Sequence, residues 1–212
     1  MSNKLEHISI NLLDLPLKYT PSDNPFISNE EIRFLLSTAL MKKGNMLEIG
    51  VNRGKTTNNL ARIAKGEGLT LIGVDVTEPP VTICDAQGVG ECLPQDVVGC
   101  DISLENRSAV EIKLINPNDT NSLQNLLQEL NLKFDFVFVD GDHSYAGVKR
   151  DYENVLPFLS DKGVMVFHDV WWDVEPAPAK GPLRLLKEVG GYIINRTHLG
   201  ILTQHIKRFE SE

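Results

Sequence analysis

Met46-Leu47-Glu48-Ile49-Gly50-Val51-Asn52-Arg53-Gly54-Lys55-Thr56 is the stretch on which the reading of this chain turns. A short apolar run carries an acid, and two glycines four positions apart then open a helical pattern. That order predicts a buried strand turning sharply into a helix, with glycine where the backbone approaches a ligand closely. Open α/β sheets bind ligands at the carboxyl ends of such strands. The ligand expected here carries an adenosine.

Three loop chemistries compete for these residues. A phosphate-cradling loop needs four residues between its glycines before Lys-Thr, and Gly50 and Gly54 enclose three. A dinucleotide loop needs G-x-G-x-x-G, and Asn52 stands where its second glycine would admit a pyrophosphate. The pattern that fits is E-x-G-x-x-x-G from Glu48 to Gly54, which resembles motif I of the class I S-adenosylmethionine-dependent methyltransferases. A strand, loop and helix with no ligand is the alternative.

The 212 residues suffice for one domain, or one domain with a short arm, and for a sizeable core. No apolar stretch is long enough to span a membrane, and Met1 to Glu6 lacks the basic-then-apolar order of a signal peptide. A net charge of -8 argues against a nucleic-acid partner, which needs a basic face. The acids concentrate between Gly66 and Asn106, where Glu67, Asp75, Glu78, Asp85, Glu91, Asp96, Asp101 and Glu105 occur without Lys or Arg. This reads as a solvated acidic loop. Cys84, Cys92 and Cys100 recur every eight residues, a spacing unlike the close pairs of structural zinc. An odd count without an export signal points to reduced, partly buried thiols in a cytoplasmic protein.

Along the chain, residues 1–26 carry three prolines and no strong period, and read as an N-terminal arm over a domain spanning 27–212. Ser28 with Glu31 forms a capping-box signature ahead of Ile32, Leu35, Leu36, Ala39 and Leu40, and Gly44 stops the helix. A second helix follows the glycine loop to Gly66 or Gly68. Leu69 to Asp75 reads as a strand ending in a carboxylate, 25 positions after Gly50, near where adenosine sites place an acid for the ribose hydroxyls. Residues 79–100 read as a long irregular excursion, functional or mobile.

Then come a strand (Ala109 to Ile115), a helix (Thr120 to Leu130), a strand (Phe134 to Val139), a helix with Tyr145, Val148, Tyr152, Val155 and Leu159 on one face, and a strand (Gly163 to Phe167). A Pro/Ala loop (Pro176 to Pro182), a short helix and two closing strands (Tyr192 to Ile194, Leu199 to Leu202) end the pattern. This alternation predicts an α/β doubly wound, mostly parallel sheet of seven strands with an antiparallel C-terminal strand.

Asp140 and Asp169 each end a neighbouring strand, so both emerge at the edge that carries the glycine loop. Clustered acids there imply cation binding or catalysis, whereas Asp142 or Ser144 serves equally well as a helix N-cap. The run Asp135 to Tyr145, with Val139-Asp140-Gly141-Asp142-His143-Ser144-Tyr145 and Phe167-His168-Asp169-Val170, resembles catechol and caffeoyl-CoA O-methyltransferases. It is more similar still to a bacterial group of small O-methyltransferases sharing both motifs. Ile27-Ser28-Asn29-Glu30-Glu31 and Leu47-Glu48-Ile49-Gly50 extend the resemblance, which covers Ile27 to the C-terminus apart from 79–100.

The resemblance implies a Rossmann-like fold and S-adenosylmethionine held by Glu48, Gly50, Asn52, Gly54, Asp75 and Asp140, with Asn118 and Asp119 near the adenine. It implies a divalent cation, magnesium or manganese, at Asp140 and Asp169, and a base at His143, where the relatives place a lysine. The relatives' third ligand, an asparagine after the second aspartate, is Val170 here. His168 is available in its place, and imidazole suits manganese, iron or zinc better than magnesium. A hydrogen-bonded strand-end histidine is the other reading of His168, and a satisfied surface histidine the other reading of His143. The implied partner is a small-molecule hydroxyl acceptor, with no nucleic acid or membrane; a homodimer is compatible with this.

The expected reaction moves a methyl from the sulfonium to a substrate oxygen. Asp140 and Asp169 hold the cation that acidifies the hydroxyl, and His143, with an ordinary pKa near 6.5, takes its proton. The loop from Trp171 to Pro182 would cover the acceptor, or its tryptophans are core. The rivals are an N-methyltransferase, which lacks an Asn-Pro-Pro-Tyr-type motif here, a nicotinamide oxidoreductase, which Asn52 disfavours, and a catalytically silent cofactor-binding module.

Overall fold

The computed structural model describes residues 6–8, 27–77, 81–85, 88–92, 98–171 and 181–203. In chain order these form β1 (Glu6–Ile8), α1 (Asn29–Lys42), β2 (Met46–Ile49), α2 (Lys55–Glu67), β3 (Leu71–Val76), β4 (Val81–Asp85) and β5 (Gly88–Cys92). There follow β6 (Glu111–Ile115), α3 (Ser122–Leu130), β7 (Phe134–Val139), α4 (Tyr145–Val155), β8 (Leu159–Phe167), α5 (Gly181–Val189), β9 (Tyr192–Ile194) and β10 (Gly200–Thr203).

The main sheet has the order β1-β9-β10-β8-β7-β2-β3-β6, and β10 alone runs antiparallel. The doubly wound fold and its antiparallel last strand are as expected. The sheet has eight strands rather than seven, because Glu6–Ile8 from the arm pairs in parallel with β9. The rest of the arm lies outside the described residues. The excursion is also less irregular than expected: β4 and β5 pair antiparallel from Val81↔Cys92 to Asp85↔Gly88. Of its three cysteines, the Cys100 side chain is described, and it is exposed rather than partly buried.

Period-two alternation in the central strands divides the core. Leu47, Ile49, Val137, Val139, Met165 and Phe167 meet α3, α4 and α5 on one face, while Met46, Phe136, Phe138, Val164 and Val166 meet α1 and α2 on the other. Each fully buried phenylalanine stabilises the fold by about 1.5–3 kcal/mol through transfer from water. Such two-sided burial is why these strands read as continuous apolar runs. Among the described residues, no helix is long and apolar enough to cross a membrane.

Helix boundaries follow local chemistry. The Ser28–Glu31 capping box is present, and Glu31 Oε1 also accepts the His198 N–H at 2.7 Å, tying α1 to the β9–β10 connection. Lys43, not Gly44, takes the left-handed C-cap of α1; Gly44 instead makes room for Asp135. Leu159 belongs to β8 rather than to the preceding helix, and pairs with Phe134.

Register positions the site. Val74, Ile49, Val139 and Phe167 are aligned across β3, β2, β7 and β8. The next residues, Asp75, Gly50, Asp140 and His168, therefore stand in one row at the carboxyl edge. Backbone bonds pin the row: Gly50 N–H to Val74 O at 2.9 Å, Asp140 N–H to Ile49 O at 2.8 Å, and His168 N–H to Val139 O at 3.0 Å.

Candidate active site

A cleft of about 670 Å³ opens above this row. Its lining includes Gly50, Asn52, Gly54, Asp75, Asp119, Asp140, His143, His168 and Asp169, so most of the site residues expected from sequence share one cavity. Glu48 and Asn118 are not among the lining residues. Asn116 lines the cleft two positions earlier, with its side chain accepting the Asn118 N–H at 2.9 Å.

The glycine loop is shaped by contacts within the chain. Gly50 has φ +91°, and a β-carbon there would lie 2.1 Å from the carbonyl oxygen of Asp140. Gly54, φ +89°, caps α2, and a β-carbon on it would lie 2.6 Å from Ile102 Cγ1. The expected reason for both glycines was a close ligand; the close neighbours found are the Asp140 backbone and the 99–102 segment. Asn52, φ +49°, adopts the left-handed conformation that asparagine tolerates. Its N–H donates to Asp75 Oδ2 at 2.5 Å, while Asp75 Oδ1 accepts the Val76 N–H at 2.7 Å. Arg53 clasps Asp101 at 2.9 and 3.0 Å and holds that carboxyl below the usual carboxylate range, fixing the loop's outer side.

Glu48 sits beneath the loop, 1 % exposed, on the α1–α2 face of β2. Burial pushes it up to about 8, with Asp140 and Asp75 adding to the rise. Thr57 is near enough to oppose this, but among the described residues no hydrogen bond of standard geometry reaches either Glu48 oxygen. Glu48 is thus a largely protonated buried carboxyl at neutral pH.

Opposite the loop, Asp140, His143 and Asp169 bring one donor atom each within 4.8 Å of one another. His143 Nδ1 is 2.9 Å from Asp169 Oδ2, and its Nε2 is 3.5 Å from Asp140 Oδ1. Local structure sets the ring's position: Ser144 N-caps α4 through the Gly147 N–H at 3.0 Å, and α5 packs so closely that a β-carbon on Gly181 would lie 2.2 Å from His143 O. Asp169 emerges in the left-handed region, φ +52°, turning the chain after β8.

The electrostatics differ from the sequence expectation. Hydrogen bonding to Asp140, then to Asp169, pushes His143 up to about 10 against some desolvation. It is a cation at neutral pH rather than a base poised near 6.5. Burial would raise Asp169, but His143 and the charge of His168 outweigh it and keep Asp169 below the usual carboxylate range. His168 is buried, with Nδ1 3.1 Å from Asp140 Oδ1. Burial pulls it down, yet Asp140, Asp169 and Glu31 leave it above its ordinary value. His143, rather than His168, completes the three-residue group of donor atoms.

Two carboxylates and an imidazole converging in this way fit a divalent cation, and the nitrogen favours manganese, iron or zinc over magnesium. Trp171 stacks on His198 with ring centroids 3.9 Å apart; Trp172 and residues 173–180 lie outside the described residues. Sequence reasoning missed Arg150, Asp151 and Asn154, which line the cleft from α4. Their one signal was polarity at i, i+1 and i+4 beside the apolar stripe of that helix, and it is no different from the signal of a solvated face.

Residues 47–170, more than half of the chain, match the family described as Methyltransferase domain, and the chain belongs to that family. A search of curated proteins finds no sequence match. Among solved structures the chain is similar to CalS11, a TDP-rhamnose 3'-O-methyltransferase in calicheamicin biosynthesis, at 16% identity and TM-score 0.54, covering 84% of this chain and 82% of that one. It is similar to the O-methyltransferase from Bacillus cereus in complex with SAH, at 18% identity and TM-score 0.51, covering 89% and 83%. It is also similar to the MycE methyltransferase of the mycinamycin pathway in complex with Mg and SAH, at 18% identity and TM-score 0.50, covering 75% of this chain and 44% of that one. At these identities the likeness establishes the fold, the Rossmann-like one of class I methyltransferases.

Proposed function

We propose that this chain transfers the methyl group of S-adenosylmethionine to a hydroxyl of a small molecule. The observation that carries the reading is the Asp140–His143–Asp169 group lining the same cleft as the glycine loop. The solved relatives CalS11 and the Bacillus cereus enzyme are O-methyltransferases, and two of the three relatives are complexes with SAH, the demethylated product. On this reading Gly50, Asn52 and Gly54 present backbone to the methionine part, and Asp75 accepts the ribose hydroxyls. Asn116 and Asp119 border the base.

The sulfonium is already an activated donor, so the protein must align the acceptor and remove its proton. A cation held by Asp140 and Asp169 would acidify the acceptor hydroxyl and orient it, leaving a His143 ring nitrogen free for the proton. The two carboxylates that would hold it are the two that keep the extra proton on His143. Compensating their charge returns His143 toward its ordinary range, where a ring nitrogen takes the hydroxyl's proton. His168 buttresses Asp140 from the buried side. The acceptor is a small molecule rather than nucleic acid, in keeping with a net charge of -8.

The test is incubation with S-adenosylmethionine and a panel of catechol, phenol and sugar hydroxyls, with and without excess chelator, read by mass spectrometry. Methyl ethers that disappear with chelator support the full reading. Full turnover in chelator removes the cation and leaves Asp169 to orient the hydroxyl. Cofactor binding without methylated product across the panel overturns the reading in favour of a silent binding module.

A further inference from the structure

β10 runs antiparallel to both β8 and β9, so the β9–β10 connection lies at the carboxyl edge of β8, where Asp169 emerges. The connection is closed on itself. The Ile194 N–H donates to Leu199 O at 3.0 Å, and the buried Thr197 Oγ1 donates to Ile194 O at 2.8 Å and accepts the Leu199 N–H at 3.1 Å. From it His198 reaches the segment after β8 in two ways. Its carbonyl oxygen accepts the Val170 N–H at 2.9 Å, and its ring stacks on Trp171, 28° from parallel. The Trp171 N–H donates to Asp169 O at 2.9 Å, and the Trp171 side chain, whose one donor is the indole N–H, bonds the Asp169 carboxylate. Asp169 needs this support: at φ +52° it occupies the left-handed region, where a residue other than glycine persists only if its surroundings hold it.

His198 is held in turn by Glu31, whose side chain is buried. Glu31 Oε2 accepts the Ser28 N–H and the Ser28 hydroxyl, each at 2.8 Å, and Oε1 accepts the His198 N–H at 2.7 Å. A capping box uses only the bond back to the Ser28 N–H, and glutamate is almost never buried unless paired. The second oxygen goes instead to a residue 167 positions away. Ile27, one residue before the cap, lines the cleft itself, so the start of α1 stands beside the site.

We infer that Glu31, His198 and Trp171 are positioning residues for the transfer: Glu31 fixes His198, His198 fixes the Val170–Trp171 segment, and Trp171 fixes the Asp169 carboxylate in the cleft. None of them lines the cleft, so each acts through Asp169. The inference rests on the methyl-transfer reading, and it holds whether Asp169 binds a cation or orients the acceptor hydroxyl.

The experiment compares wild type, Ser28→Ala, Glu31→Ala and Trp171→Phe. It measures methyl transfer from S-adenosylmethionine to the panel of catechol, phenol and sugar hydroxyls, calorimetric binding of S-adenosylhomocysteine, and amide exchange of Val170 by NMR. Ser28→Ala and Glu31→Ala both break the capping box and lower the melting temperature, but only Glu31→Ala cuts the tie to His198. Glu31→Ala should lower kcat by about 10- to 100-fold, the scale for displacing a reacting group by about 1 Å, and speed Val170 exchange about tenfold or more relative to Ser28→Ala. S-adenosylhomocysteine affinity should be nearly unchanged throughout, and Ser28→Ala should keep wild-type kcat. Trp171→Phe keeps a stacking ring, the cap and the His198 tie and removes the indole N–H, so kcat should fall with Val170 exchange unchanged. Wild-type kcat in Glu31→Ala, or equal losses in Ser28→Ala and Glu31→Ala, makes Glu31 a helix cap only and overturns the inference. Where Glu31→Ala does not fold, Trp171→Phe decides, and wild-type kcat there overturns it. Loss of kcat together with S-adenosylhomocysteine binding shows a general structural role and overturns it too. No methylated product from wild type overturns the methyl-transfer reading and this inference together.

Discussion

The two walls of the cleft are built on different principles. On the β2–α2 side the working groups are backbone, placed by two left-handed glycines and pinned by Asp75 and Asp101. On the β7–β8 side they are charged side chains, Asp140, His143 and Asp169, whose geometry depends on three separate elements meeting. On the proposed function the first wall holds the cofactor and the second reacts. The backbone wall carries no charge on the groups it presents, while the carboxylate–imidazole wall changes charge with pH and with a bound cation.

The largest effect that tests this division is on turnover. His143→Ala should lower turnover by roughly 10²–10⁴-fold, the range for loss of a positioned base, while S-adenosylhomocysteine affinity stays nearly unchanged. Parallel loss of both, in kinetics and calorimetry on the same preparation, would mean that the walls do not work separately. On the other wall, Gly50→Ala sets a β-carbon 2.1 Å from a backbone oxygen at φ +91°. Urea denaturation should register a loss of about 3 kcal/mol or more, with cofactor binding lost as well. Wild-type stability in that variant would show that the loop yields, and that backbone geometry is not what holds it.

These walls were unequally legible in the sequence. Gly50, Gly54 and Asp75 could be placed at the cleft because glycine is most at ease at positive φ and because strand ends announce themselves by pattern. Asp140 and Asp169 were legible for the same reason, as the residues that follow apolar runs. The strand count fell short because Glu6–Ile8 has too few residues to carry a period and pairs with β9, whose register partners lie 186 positions away in sequence. The charge state of His143 was not legible either: it depends on two carboxylates approaching from different strand ends. Asp151 and Asn154 were not legible because a polar residue lining a cleft and one on a solvated helix face carry the same sequence pattern.

Two smaller effects depend on pH. Glu48 has its folded-state pKa raised to about 8 from 4.5, so the native state binds the extra proton and stability falls as pH rises between those values. Glu48→Gln should remove that decline and gain on the order of 3 kcal/mol at pH 8 by urea denaturation. An unchanged pH slope would show that Glu48 is solvated. His143 is raised from 6.5 to about 10. Its contribution in chelator-treated protein is fully present below about pH 6.5 and is lost as pH climbs through 10. Melting curves of His143→Gln should therefore be flatter than wild type across that window, a modest change because the side chain is 39% exposed. A wild-type slope in the variant would place the titration elsewhere.

Direct titration shows whether the cleft is an adenosylmethionine site. Calorimetry of the purified chain should show saturable binding of S-adenosylhomocysteine, no binding of NAD, and loss of the S-adenosylhomocysteine signal in Gly50→Arg. Tight NAD binding with no response to S-adenosylhomocysteine would contradict it.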